Sequence, residues 1–107
     1  MLERRRAPRI HVELPVVLRH RGRFVPATAV NLSSGGMLIH SDDSNVSTTG
    51  QVEILFDLDH EHRDVALRGN VLRVDGTHPT NLGIQFTTVF SEAHRVIQRY
   101  LEAKLSS

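Results

Sequence analysis

The feature that most constrains the fold is a series of short segments in which apolar and polar residues alternate. The clearest are Val12–Leu18, Val52–Leu58 and Leu82–Phe86. A period of two places one face of each strand on a core. Six such strands can be assigned, and the turns between them are too short for crossover helices, so neighbouring strands must be antiparallel. Because a small antiparallel sheet hides its edges best by closing, the sequence predicts a six-stranded antiparallel β-barrel.

Local signals refine this prediction. Arg21-Gly22-Arg23 is typical of a hairpin tip, and Pro15 restricts its strand to an edge or a bulge. Within Val65–Val74 the apolar residues change from odd to even positions. A bulge near Gly69 would bring both halves onto one face.

The period changes after Ser91. Apolar residues then recur every three to four positions, which predicts an amphipathic helix over about residues 91–105 with Ser91 as its N-cap. We therefore divide the chain into a flexible N-terminal arm, residues 1–10, and a barrel with a C-terminal helix, residues 11–107.

Composition excludes several classes of protein. The 107 residues contain no cysteine, which rules out disulfides and thiolate chemistry and is expected of a cytoplasmic protein. No signal peptide and no apolar run of membrane-spanning length are apparent, so we expect no membrane insertion. The formal net charge is only +1, but arginines concentrate in the N-terminal third. This distribution favours a local anion site over a nucleic-acid track.

The densest basic segment is the arm, which contains Arg4, Arg5, Arg6 and Arg9. Pro8 disfavours a helix there, so the arginines would point in different directions and repel one another unless an anion gathers them. An arginine fork matches phosphate oxygens and the O6/N7 edge of guanine. The residues alone leave a second interpretation open, a solvated basic tail.

A polar segment, Asn31-Leu32-Ser33-Ser34-Gly35-Gly36, separates two predicted strands. In extended geometry Asn31 and Ser33 share a face, where an amide and a hydroxyl can bind a base edge. Gly35 and Gly36 would let a ligand approach the backbone. An ordinary polar turn remains the alternative.

Taken together, residues 5–105 resemble the PilZ domain, a bacterial β-barrel that binds cyclic di-GMP. The family signature, Arg-x-x-x-Arg followed by Asp/Asn-x-Ser-x-x-Gly, is complete here as Arg5-x-x-x-Arg9 and Asn31-x-Ser33-x-x-Gly36. The strand Gly83–Phe86 and the terminal helix also fit the family.

The resemblance implies a cyclic di-GMP receptor that orders its arm on the ligand and signals to a partner protein. Arg5 and Arg9 would contact phosphates and guanine edges, Asn31 and Ser33 would hold a guanine, and Gly36 would permit close approach. Arg4, Arg6 and Gly35 are secondary candidates. Asn31 stands where many relatives have an acid, and some family members have lost the ligand, so an adaptor that binds no nucleotide is the alternative. The sequence leaves open one ligand or a stacked pair, and monomer or homodimer.

Other functions have weaker support in the sequence. No nucleophile elbow, phosphate-loop lysine or paired carboxylates suggest an enzyme, and no cofactor or metal is expected. His60-Glu61-His62 is better interpreted as a solvated loop, and Asp57 and Asp59 as the polar end of a strand. A single-stranded nucleic-acid binder needs surface aromatics, whereas the five aromatics here fall mostly on core-facing positions.

Overall fold

The computed structural model describes residues 8–41, 50–75, 80–87 and 91–106. These residues form six antiparallel strands and one helix: β1 (Ile10–His20), β2 (Arg23–Leu32), β3 (Gly36–Ser41), β4 (Gln51–Phe56), β5 (Val65–Asp75), β6 (Thr80–Phe86) and α1 (Glu92–Ser106). The strands close into a barrel in the order β1-β2-β3-β6-β5-β4. The predicted fold class is thus confirmed. Most of the predicted arm lies outside the described residues, so its mobility remains a prediction.

The alternating residues fill the barrel as their period requires. Every strand contributes at least one side chain that is almost fully buried: Leu18, Ala29, Ile39, Ile54, Leu67 and Leu82. Helix α1 packs against β1 and β5, and its Ile97 and Leu101 join the same core. Ser91 is the N-cap of the helix as predicted, because its Oγ accepts a hydrogen bond from the His94 amide at 3.1 Å. Among the described residues, no helix is long and apolar enough to cross a bilayer.

The β1–β2 connection confirms the predicted hairpin tip. Arg21 and Gly22 both have positive φ, 53° and 77°, as a two-residue type I′ turn requires. Pro15 lies in the first half of β1, which pairs with β2 alone, since pairing with β4 begins at Val16. A register shift between His11 and Leu14 precedes it. The proline therefore lies where a missing amide is tolerated.

The bulge in β5 is real, but its predicted position near Gly69 was wrong. Gly69 keeps regular pairing with Val52 and Phe86, and the register shifts between Val71 and Arg73. A side chain at Gly69 would collide with β6, so its glycine serves close packing. Leu72, which a bulge at Gly69 would have turned inward, is instead 65% exposed.

Candidate functional site

The predicted site residues that the structure describes come together on one outer wall of the barrel. Arg9 from the first motif and Asn31, Ser33, Gly35 and Gly36 from the second all line a groove of about 1210 Å³. Arg4, Arg5 and Arg6 lie outside the described residues. The groove thus joins the end of the arm to the β2–β3 turn.

The groove extends beyond the motifs because strand pairing adds residues from distant parts of the chain. Asn31 on β2 is paired with Leu38 on β3, Leu38 with Gly83 on β6, and Gly83 with Arg73 on β5. Asn31, Leu38 and Gly83 lie on the outer face, since their strand neighbours Leu32, Met37, Ile39, Leu82 and Ile84 are buried. The Arg73 side chain is 69% exposed and lies on the same face. With strands about 4.8 Å apart, this row spans roughly 14 Å.

Ser33 holds the β2–β3 turn in shape. Its Oγ accepts hydrogen bonds from the amides of Gly35 and Gly36, both at 3.2 Å, and donates to the Gly36 carbonyl at 3.4 Å. The Ser33 amide donates to the same carbonyl at 2.9 Å. Ser33 is only 8% exposed, whereas Asn31 is half-buried. The serine of the motif therefore has a structural function in addition to the ligand contact that was predicted for it.

The two glycines of the turn differ in what surrounds them. A Cβ at Gly36 would overlap the carbonyl oxygen of Ile84, so the absence of a side chain there allows β3 to pack against β6. A Cβ at Gly35 would meet nothing within 4 Å. Sequence reasoning explained Gly36 by close approach of a ligand, but the structure supplies a packing reason that holds without one.

Sequence reasoning missed His94, which connects the helix to this turn. The side chain is 6% exposed, and its Nε2 donates to the Ser34 carbonyl at 2.7 Å. Because a carbonyl oxygen only accepts, Nε2 must carry the proton. The available signal was its position three and seven residues before Ile97 and Leu101, on the buried face of the helix.

The electrostatics of the groove suit an anion. Its described lining contains two arginines, Arg9 and Arg73, and no aspartate or glutamate. Arg9 is exposed. Arg73 forms an ion pair with Asp75 beside the groove, with Nε 3.1 Å from Oδ2.

The histidine-rich loop after β4 is held by hydrogen bonds between its own residues. Asp59 Oδ1 accepts hydrogen bonds from the Glu61 and His62 amides at 2.9 and 2.8 Å and lies 2.9 Å from His62 Nδ1. Desolvation raises the pKa of Asp59, but these hydrogen bonds and the charge of His62 outweigh it and lower the pKa below its usual value. Asp57 Oδ1 similarly accepts a hydrogen bond from the Asp64 amide at 2.9 Å. In the part of the chain that the structure describes, no three His, Cys, Asp or Glu residues are grouped to hold a metal.

Comparison with known proteins decides the family. The sequence profile of the PilZ domain matches residues 3–103. The chain belongs to the PilZ domain family. A search of curated proteins gives no match.

Solved structures share the fold of this PilZ domain at low sequence identity. The PilZ domain with c-di-GMP of YcgR from Escherichia coli has a TM-score of 0.78 at 16% identity, over 94% of this chain and 91% of that one. The Bacillus subtilis inhibitor of motility MotI/DgrA has a TM-score of 0.81 at 14% identity, over 99% of this chain and 54% of that one. The K. pneumonia MrkH–c-di-GMP complex has a TM-score of 0.73 at 19% identity, over 99% of this chain and 57% of that one. The PilZ domain described here therefore spans about half the length of MotI/DgrA and MrkH.

Proposed function

We propose that this PilZ domain is a receptor for cyclic di-GMP, which binds in the groove on the outer wall of the barrel. The observation that supports this most directly is that Arg9 of the first motif and Asn31, Ser33 and Gly36 of the second line a single groove. The described lining has positive charge and no acid, as a bis-phosphate requires. That solved relatives such as YcgR and MrkH are seen with c-di-GMP agrees with this assignment.

The chemistry of each residue suggests its role. The forks of Arg5 and Arg9 bind phosphate oxygens or the O6/N7 edge of a guanine. The half-buried amide of Asn31 hydrogen-bonds a second base edge from the barrel side. Ser33 fixes the turn that follows Asn31, because its hydroxyl oxygen accepts hydrogen bonds from the Gly35 and Gly36 amides. Arg4 and Arg6 add positive charge to the same segment.

Ligand binding acts as a switch through the arm. Three adjacent arginines, Arg4 to Arg6, repel one another without a counter-anion, so a bis-phosphate stabilises one arrangement of the arm over the barrel. The new surface is then recognised by a partner protein. By thermodynamic reciprocity, if the ligand raises the affinity for a partner that prefers the ordered arm, that partner must raise the affinity for the ligand by the same factor. Amide hydrogen exchange of residues 1–10, measured with and without ligand, tests this step: protection should rise with ligand.

Calorimetry tests the receptor function. Wild-type protein should bind cyclic di-GMP, and cyclic di-AMP, which lacks the guanine edge, should bind more weakly. Arg9→Ala should lower the affinity about 10- to 100-fold, because a charge-assisted hydrogen bond contributes roughly 1.5–3 kcal/mol. Arg19→Ala is a matched control, since Arg19 is an exposed arginine paired with Glu53 at 3.2 Å on β1 and β4, away from the groove.

Two outcomes would contradict the proposal. Undiminished affinity of Arg9→Ala would place the ligand elsewhere. Failure of the wild-type protein to bind cyclic di-GMP at high micromolar concentration would favour the alternative function, an adaptor that docks proteins without a nucleotide.

A further inference from the structure

The groove has a second basic wall that belongs to neither motif. Arg73 on β5 closes the row of paired residues that begins at Asn31, so it faces the motif residues across the groove. The two walls are separated by three strand spacings, roughly 14 Å along the surface. A ligand that fills this groove touches both walls.

The β5 bulge is what brings Arg73 to this wall. In a regular strand, residues two apart point to the same face. Val71 is 5% exposed and points into the core, yet the Arg73 side chain is 69% exposed. The register shift between these two residues reverses the alternation and turns Arg73 outward. Without the extra residue, position 73 would belong to the core.

The floor between the two walls is kept open by Gly83. A Cβ there would meet only Arg73 Cβ at 3.8 Å, which is ordinary van der Waals contact, and its φ is not in the positive range. Neither packing nor backbone geometry therefore requires a glycine. The absence of a side chain leaves a trough between Leu38 and Arg73, which are the cross-strand neighbours on either side.

The state of Arg73 leaves it available to a ligand. Its Nε lies 3.1 Å from Asp75 Oδ2, and both side chains are largely exposed, 69% and 58%. Such a surface pair contributes little to stability and exchanges readily for a stronger partner. Among the described residues, no partner is found for the two terminal nitrogens of Arg73, the ones that form a fork. The pair also offsets the carboxylate that would otherwise repel an anion from this end of the groove.

We propose that Arg73 is a second ligand-anchoring residue, which binds the half of cyclic di-GMP farther from Arg9. Its fork fits two acceptor pairs in that half, the oxygens of the second phosphate or the O6/N7 edge of the second guanine. This inference rests on the proposed receptor function. It adds to the motif residues a contact supplied by β5, far from them in sequence.

Calorimetry with cyclic di-GMP on the full chain tests the proposal. Arg73→Ala should weaken binding about 10- to 100-fold, as expected for a lost charge-assisted contact, while Arg19→Ala binds like the wild type. The double variant Arg73→Ala/Asp75→Asn should remain weak, because the fork is still missing. Titration with cyclic di-AMP distinguishes the two acceptors: loss of a phosphate contact weakens both ligands equally, whereas loss of a guanine contact weakens cyclic di-GMP alone.

Three results would overturn the inference, and they separate it from the proposed function. If Arg9→Ala loses affinity and Arg73→Ala does not, the receptor function stands and the second anchor is rejected. If the double variant regains wild-type affinity, the effect of Arg73 is only to neutralise Asp75, and direct contact is rejected. If the wild type does not bind at all, both proposals fail.

Discussion

Removal of the Ser33 hydroxyl should destabilise the fold as well as lower the affinity for the ligand. In Ser33→Ala, the amides of Gly35 and Gly36 lose the oxygen that accepts them at 3.2 Å. Gly35 is exposed, so water can replace its lost partner, whereas Gly36 is half-buried. At about 0.5–1.5 kcal/mol for each net hydrogen bond, the free energy of unfolding should fall by about 1–2 kcal/mol. For a domain of this size the melting temperature should drop by roughly 5–10 °C.

Ser34→Ala provides a matched control for this change. Ser34 is the next residue, is half-buried, and takes part through its backbone carbonyl, which a substitution to alanine preserves. Its unfolding free energy should stay within about 0.5 kcal/mol of the wild type. Urea unfolding of the three proteins should show a lower midpoint for Ser33→Ala alone, with an unchanged slope. If Ser33→Ala unfolds together with the wild type yet binds no ligand, the hydroxyl acts on the ligand only and the turn argument is wrong.

Two further substitution series test the same wall of the barrel. Gly36→Ala should lower the free energy of unfolding in urea by about 1–3 kcal/mol, because its methyl group meets the β6 backbone. Gly83→Ala should keep wild-type stability but lower the affinity for cyclic di-GMP, because its methyl group fills the groove floor. Equal stability of the two variants would contradict this contrast. His94→Phe should lower the unfolding free energy by about 1–3 kcal/mol, since the Ser34 carbonyl loses its donor. His94→Gln should lower it by less, because the glutamine amide can still donate. A melting temperature for His94→Phe equal to that of the wild type would show that the contact contributes nothing.

Part of the candidate site followed from the sequence because its two segments lie at the matching ends of neighbouring strands, where Ile10 pairs with Leu32. Asn31 to Gly36 run from the end of β2 through the turn to the start of β3, and Arg9 immediately precedes β1, so their presence on one surface needed only the predicted barrel. The other wall of the groove could not be predicted in this way. Leu38, Gly83 and Arg73 become neighbours only because β6 lies between β3 and β5, an order that differs from the order along the chain.

By itself, the sequence determined the strands, the helix and the closed sheet, because the period of apolar residues is a local property that covalent geometry imposes on strands and helices. The tertiary structure alone decided where β5 bulges, and hence that Leu72 and Arg73 face outward. Apolar residues on both sides of Gly69 allowed several bulge positions, and the choice depends on how β5 pairs with β6, its neighbour in the sheet. The reason for Gly36 and the contact of His94 likewise arise between segments distant in the chain, where packing and hydrogen bonding across elements, and not local periodicity, fix the geometry.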